Sequence, residues 1–218
     1  MQPIPILSLL ETRVLGVLIE KQHTVPDSYP LTLNALVSGC NQKTSRDPVI
    51  EATDDEVQAA IDHLKTLSLA MESSGGRVMR YAHNAERGLR LPSQAVALLA
   101  TLMLRGPQTI GELRINADRL HKFADISAVE GFLNELADAN ARESGAMVAE
   151  LPRQPGAREN RWAHLFSGAP VVGAVVETPT VLPAALSAVL PTEADDLRER
   201  VARLEREVAE LRALIVVQ

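Results

Sequence analysis

One stretch of this chain occurs twice, and that repetition limits the folds open to it more than any other feature. Residues Thr53 to His83 read as a helix carrying Val57, Ile61 and Leu64, then a Gly75-Gly76 turn and a closing Arg80-Tyr81-Ala82-His83. From Asp125 to His164 the pattern returns, with Val129, Leu133 and Leu136 at the same spacing, a longer excursion through Pro155-Gly156, and a closing Arg161-Trp162-Ala163-His164. Apolar residues at i, i+4 and i+7 lie along one helical face. Short β-compatible runs on either side of a glycine turn signal a hairpin. Each unit is therefore a helix followed by a hairpin.

The segments in front of these units repeat as well. Ser8-Leu9-Leu10-Glu11 fits a capping box, and Leu10, Val14, Leu15, Leu18 and Ile19 continue as a helical stripe to about Gln22. Pro26 and Pro30 end it, and a second helix carries Leu31, Leu33, Leu36 and Val37. After the polar connector Asn41 to Pro48, Val49 to Ala52 is expected to pair briefly as a strand, and Thr53-Asp54-Asp55-Glu56 opens the third helix with another capping box. Asn84 to Leu91 reads as a polar linker, and Pro92 fits the first turn of the next helix. The order then recurs: a stripe of Ala95, Leu98, Leu99 and Leu102, a Gly106-Pro107 break, Thr109 to Leu113 in parallel with Thr32 to Leu36, and a third helix over Ile126 to Ala139.

Three helices and a hairpin, twice, predict a mainly α protein with short β-hairpins: two tandem winged-helix domains, over 1–84 and 93–166, joined by a linker at 85–92. Residues 167–191 are rich in Ala, Val and Pro and read as a second linker. Residues 192–218 predict a C-terminal coiled-coil helix. There Val201, Val208 and Ile215 alternate with Leu197, Leu204 and Leu211 in heptads, β-branched at a and leucine at d, which favours a parallel two-stranded coil. Glu193 with Arg198, Arg200 with Glu205 and Glu207 with Arg212 supply opposite charges across it, so a homodimer through this segment is expected. The alternative is an amphipathic helix lying back on its own chain.

Pro30-Leu31-Thr32-Leu33-Asn34-Ala35-Leu36, Cys40 through Val49, Arg105 through Arg114 and the closing Arg161-Trp162-Ala163-His164 together resemble the signature of the YceH-like family of uncharacterised bacterial proteins. The resemblance spans about residues 8–166. It implies a tandem winged-helix fold and no settled activity, and it supplies no catalytic residues.

Charge and composition narrow the function. The net charge is −6, split evenly between residues 1–166 and the tail, so neither part is the basic body that nonspecific DNA affinity usually requires. Aromatic residues make up 3% of the chain, too few for a base-stacking surface. The single cysteine, Cys40, permits no intrachain disulfide and suits a reducing compartment, and the N-terminus lacks the basic region and apolar run of a signal peptide. The apolar run Ala169 to Leu190 is interrupted by Pro170, Glu177, Pro179 and Pro183, which argues against a membrane span. The reading is a cytoplasmic protein.

No enzyme chemistry is expected, and no cofactor. The five histidines show no metal-ligand spacing, Gly75-Gly76 lacks the context of a phosphate loop, and Cys40 reads as a buried residue closing the second helix. Asp54-Asp55-Glu56 is explained by helix capping.

A winged helix invites the expectation of DNA, read by its third helix. Here that helix presents Asp54, Asp55, Glu56, Gln58, Asp62, His63 and Lys65, and its second copy Glu130, Asn134, Glu135 and Asp138. So many carboxylates repel phosphate, which disfavours major-groove reading. The basic residues gather elsewhere: Lys43 and Arg46 in the connector, Arg77 and Arg80 in the first wing, Arg114, Arg119 and Lys122 on or after the second helix of copy two, and Arg153, Arg158 and Arg161 in the second wing. Lys43, Arg46, Arg77, Arg80, Arg114, Arg119, Arg153, Arg158 and Arg161 are the candidate phosphate contacts. Two functions follow: a DNA-associated regulator that holds phosphates through wings and connector, or a protein-assembly adaptor that uses winged helices and coil without DNA.

Overall fold

The computed structural model describes residues 5–73, 78–140 and 144–168. The chain divides into two compact units, Met1–Ala174 and Val175–Gln218. The second lies outside the described residues, as do the heptad residues Leu197, Val201, Leu204, Val208, Leu211 and Ile215, the turn at Gly75-Gly76, and Arg77.

In the first copy, α1 (Leu9–Thr24) is followed by a short 3-10 turn (Pro26–Ser28), β1 (Leu31–Thr32), α2 (Leu33–Cys40), α3 (Asp54–Thr66), β2 (Ala70–Ser73) and β3 (Arg80–His83). A short α4 (Ala85–Leu89) leads to the second copy: α5 (Ser93–Arg105), α6 (Ile110–Ala117), α7 (Ile126–Ala137), β4 (Val148–Glu150) and β5 (Trp162–His164). The described chain is mainly helical with small antiparallel sheets.

Capping sets the helix starts. The Ser8, Thr53 and Thr109 hydroxyls each accept from the backbone N–H three residues on, and Glu11, Glu56 and Glu112 return the bond to the cap residue. Thr109 thus has the same role in copy two that Thr32, which accepts from the Ala35 N–H, has in copy one.

Two equivalent helices form the centre. Thr12 to Ile19 of α1 and Ala95 to Leu104 of α5 are buried without interruption, as expected of helices covered on every side. They pack on each other closely. A Cβ built on Gly16 lies 3.0 Å from Leu104 Cδ2, so glycine is what permits the approach. The core is continuous from Leu7 to Phe166, and the Leu7 N–H donates to the Phe166 carbonyl at 2.6 Å, joining the ends of the duplicated region.

Hairpin pairing follows one rule in both copies. β3 lies between β1 and β2, with Leu31 opposite Tyr81 and Glu72 opposite Tyr81 on the other side. In copy two β4 pairs with β5, and Gln108 bridges to Trp162 from the other edge. The residue before the second helix's threonine cap therefore meets the aromatic of the closing tetrapeptide each time.

Three local expectations change. Val49 to Ala52 forms no strand, because the Asn41 side chain takes both the N–H and the carbonyl of Ala52 at 2.8 Å, the groups a ladder would need. Asn84 to Leu91 is not simply a polar loop: it holds α4, whose Ala85 is buried, as is Leu91 beyond it, while Glu86, Arg87 and Arg90 face solvent. Pro92 sits one residue earlier than expected, as the cap of α5.

Candidate functional site

The two closing tetrapeptides tie hairpins to helices. Arg80 Nη1 donates to the Pro30 carbonyl, and Arg161 Nη1 donates to the Pro107 carbonyl, both at 2.8 Å. Each proline stands two residues before the threonine that caps the second helix, so each arginine clamps its hairpin to that helix start. Arg161 also reaches Glu112 Oε1 at 3.4 Å. Both guanidiniums remain exposed but are engaged.

The aromatics diverge. Tyr81 is buried and its hydroxyl meets Gln58 Oε1 at 2.9 Å. Trp162 is buried too, yet its indole N–H has no acceptor among the described residues. The histidines share a lowered pKa but not their partners, since His164 Nδ1 is buried without one among the described residues. His83 Nδ1 accepts from the Ala85 N–H, so Nε2 carries the proton that faces Gln22 Oε1. Burial, with a smaller contribution from His23, lowers its pKa to about 4, and burial alone lowers that of His164 to about 4. Both rings are neutral at pH 7.

The connector turns inward. Arg46 has a fully buried side chain whose five donors all find acceptors: Gly39, Ser45, Gln42 and both oxygens of Glu20, the shortest at 2.6 Å. A phosphate cannot reach it without unmaking this brace, which corrects its place among the surface contacts. Isolated basic residues in a polar run look solvated in sequence; this one is drawn in by a carboxylate on α1. Lys43 stays exposed and pairs with Glu51 at 2.6 Å. The connector also holds the copies together: the Asp47 N–H caps the Leu104 carbonyl at 2.8 Å, and Arg105 donates to Ser45 Oγ at 2.8 Å.

Sequence reasoning missed Arg13. It is fully buried on α1 and donates to the carbonyls of Cys40 at 3.1 Å and Pro48 at 2.6 Å, with no partner for Nε among the described residues. The signal was there, a cation embedded in the apolar stripe Leu10-Val14-Leu15. Burial lowers the guanidinium's pKa, and the charge of Arg46 adds to the effect. Cys40 is buried beside it. Burial pushes the thiol up to about 12 against the opposing pull of Arg13 and Arg46, so it is no thiolate at neutral pH.

The exposed face of α3 is acidic, with Asp54, Asp55, Glu56 and Asp62. Lys65 is bound to Asp62 and Glu72, and His63 to Glu11. In the second copy an open cleft of about 400 Å³ lies between the hairpin and the starts of α6 and α7. Ile110, Gly111, Ile126 and Trp162 line it, with Arg153 and Arg158 from the hairpin loop and Glu150, Glu159 and Asn160 beside them. Arg119, Arg153 and Arg158 are exposed and make no ion pair among the described residues; Arg114 is exposed and reaches only the Ala124 carbonyl at 3.4 Å. Arg77 lies outside the described residues. No helix among the described residues is long and apolar enough to cross a membrane.

The chain is 58% identical to a UPF0502 protein of Dechloromonas aromatica over 97% of its own length and 95% of the relative's. It is 57% identical to one from Burkholderia multivorans, over 96% and 86%, and 64% identical to one from Methylibium petroleiphilum, over 77% and 70%. With residues 7–157 matching as well, the chain belongs to the bacterial family described as "Protein of unknown function, DUF480".

Proposed function

We propose that this chain is a non-enzymatic, cytoplasmic regulator of tandem winged-helix type, akin to the YceH-like proteins, that associates with DNA by holding phosphates rather than by reading the major groove. The observation that carries this reading is the set of uncommitted cations in copy two: Arg114, Arg119, Arg153 and Arg158 are exposed and meet no carboxylate among the described residues. Such groups release counterions when they meet phosphate, whereas Arg46 has spent its donors internally. The acidic face of α3 explains why its helix takes no part.

The test is fluorescence anisotropy of a labelled duplex with the full chain between about 50 and 200 mM salt. Affinity falls steeply with salt, and Ala at all four arginines flattens that dependence. Absence of binding at the lowest salt would sink the proposal. A homodimer through residues 192–218 belongs to the same reading, and sedimentation before and after truncation at residue 191 measures it.

A second reading, protein assembly, draws on the first hairpin, where Met71, Val78 and Met79 are 43%, 59% and 42% exposed beside the acidic α3. Reversing Asp54, Asp55 and Asp62 then strips partners from a pulldown; an unchanged partner list contradicts it.

A further inference from the structure

We infer that the duplication is used asymmetrically, with the cleft of the second hairpin as the seat for a nucleic-acid phosphate and the first copy as its scaffold. This rests on the DNA reading above and narrows it to one site.

Two comparisons between the copies carry the inference. The first concerns the third helices. Aligning Val57, Ile61 and Leu64 with Val129, Leu133 and Leu136 places Asp54, Asp55, Glu56 and Asp62 opposite Ile126, Ser127, Ala128 and Asn134. Four positions that carry carboxylates in α3 are neutral in α7, while Gln58 and His63 give way to Glu130 and Glu135, so the difference lies in the first turn. The first turn of α7 holds no acidic residue, whereas that of α3 holds three. The positive end of the α7 dipole is thus left without carboxylates in its first turn, only the Asp125 cap remaining. Glu130 and Glu135 lie further along the helix.

The second comparison concerns the aromatic of the tetrapeptide. In copy one the Tyr81 hydroxyl is satisfied by Gln58, whose counterpart in copy two is Glu130. Trp162 is 4% exposed, lines the cleft, and has no acceptor for its N–H among the described residues. Its N–H is closed off from solvent, so Trp162 marks a difference between the copies in the cleft wall, and the donors open to a ligand there are the two guanidiniums. Arg153 and Arg158 supply charge-assisted donors at the same cleft.

Charge also limits the site. Glu150 accepts from Asn160, and Glu159 stands exposed, so the lining is balanced overall and the attraction is local to two guanidiniums. That suits one or two phosphates gripped by hydrogen bonds, not a long electrostatic track.

Trp162 is the only tryptophan in the chain, so intrinsic fluorescence reports on the cleft directly. The full chain is titrated with a short duplex while anisotropy of a label on the duplex records binding independently. Expected are a change in tryptophan emission that saturates with the anisotropy, and its loss in R153A/R158A. That variant also loses affinity by about tenfold or more and has a log–log salt slope smaller by about 2. R153K/R158K, which keeps the charge, retains part of the affinity and confirms that the hairpin is intact. Binding by anisotropy with silent tryptophan, or with R153A/R158A equal to wild type, overturns the cleft and leaves DNA association standing. No anisotropy change removes both. Inorganic phosphate, or an acidic peptide of matched charge, producing the same Arg-dependent emission change overturns the assignment in favour of a free anion or a protein partner.

Discussion

Replacing Arg46 by alanine tests whether the connector is an internal brace or a surface contact. The wild-type side chain is fully buried, while Glu20 keeps 16% exposure, so the pair is cut off from solvent on the arginine side. Removing the guanidinium strands the Glu20 carboxylate and leaves the Gly39 and Ser45 carbonyls and the Gln42 amide without their donor. Breaking a buried pair from one side costs about 3–5 kcal/mol. Lys21 Nζ remains 3.5 Å from Glu20, which puts the expectation at the low end, about 3 kcal/mol. For a cooperative body of this size that is about 6–12 °C in Tm. Urea denaturation followed by circular dichroism measures it as a fall in midpoint at unchanged m. The pH dependence is diagnostic. Burial raises the Glu20 pKa, but hydrogen bonds and charge from Arg46 outweigh it and hold the carboxyl below its ordinary value. In the variant burial dominates and Glu20 takes a proton more readily. The deficit is therefore largest at pH 7 and shrinks as pH falls toward the ordinary carboxylate range. The double variant R46M/E20L, which removes both charges, recovers most of the loss. A deficit under about 1 kcal/mol for R46A at pH 7 would refute the brace.

Other consequences can be measured on the same samples. His83 and His164 have folded pKa values of about 4, below the unfolded value, so the unfolded chain binds more protons. Their stability contribution is whole above about pH 6.5 and is lost as pH falls from there to about 4. By pH 5 the loss is at most about 2 kcal/mol per histidine, and the variants H83Q and H164Q should each remove part of the slope; a flat profile from pH 7 to 5 contradicts it. Ala at Arg80 or Arg161 releases a hairpin from the proline carbonyl at a cost of about 1 kcal/mol, seen as faster amide exchange in β3 or β5 alone. Unchanged exchange rates would remove the clamp. Gly131 sits on the exposed face of α7, where an added Cβ meets nothing within 4 Å, so G131A stabilises by up to about 1 kcal/mol; destabilisation would mean that this face is covered.

Much of the architecture was legible because its signals are local. Capping boxes at Ser8 and Thr53, the stripe Val57-Ile61-Leu64 and the twin tetrapeptides each declare themselves within a few residues, and the helices and hairpins stand within a few residues of where they point. What was hidden depends on distant partners. Arg46 looks like any connector cation until Glu20, 26 residues away, draws it inside. Arg13 is buried because its acceptors are carbonyls at the end of α2 and in the connector, which no side-chain pattern records. Likewise Asn41 replaces a strand by bonding to Ala52. The cleft of copy two is assembled from the starts of α6 and α7 and the second hairpin, three segments that only the fold brings together. Sequence put basic residues in both wings and could not tell which were already engaged.

The most direct test of the asymmetric use of the two copies is a chemical-shift map of the full chain with added duplex. Saturating duplex at low salt should move the Trp162 indole resonance and the amides of Gly111, Ile126 and Asn160, while Asp54 to Thr66 of α3 stay in place. Shifts centred on α3, or none in copy two at saturation, would contradict the account.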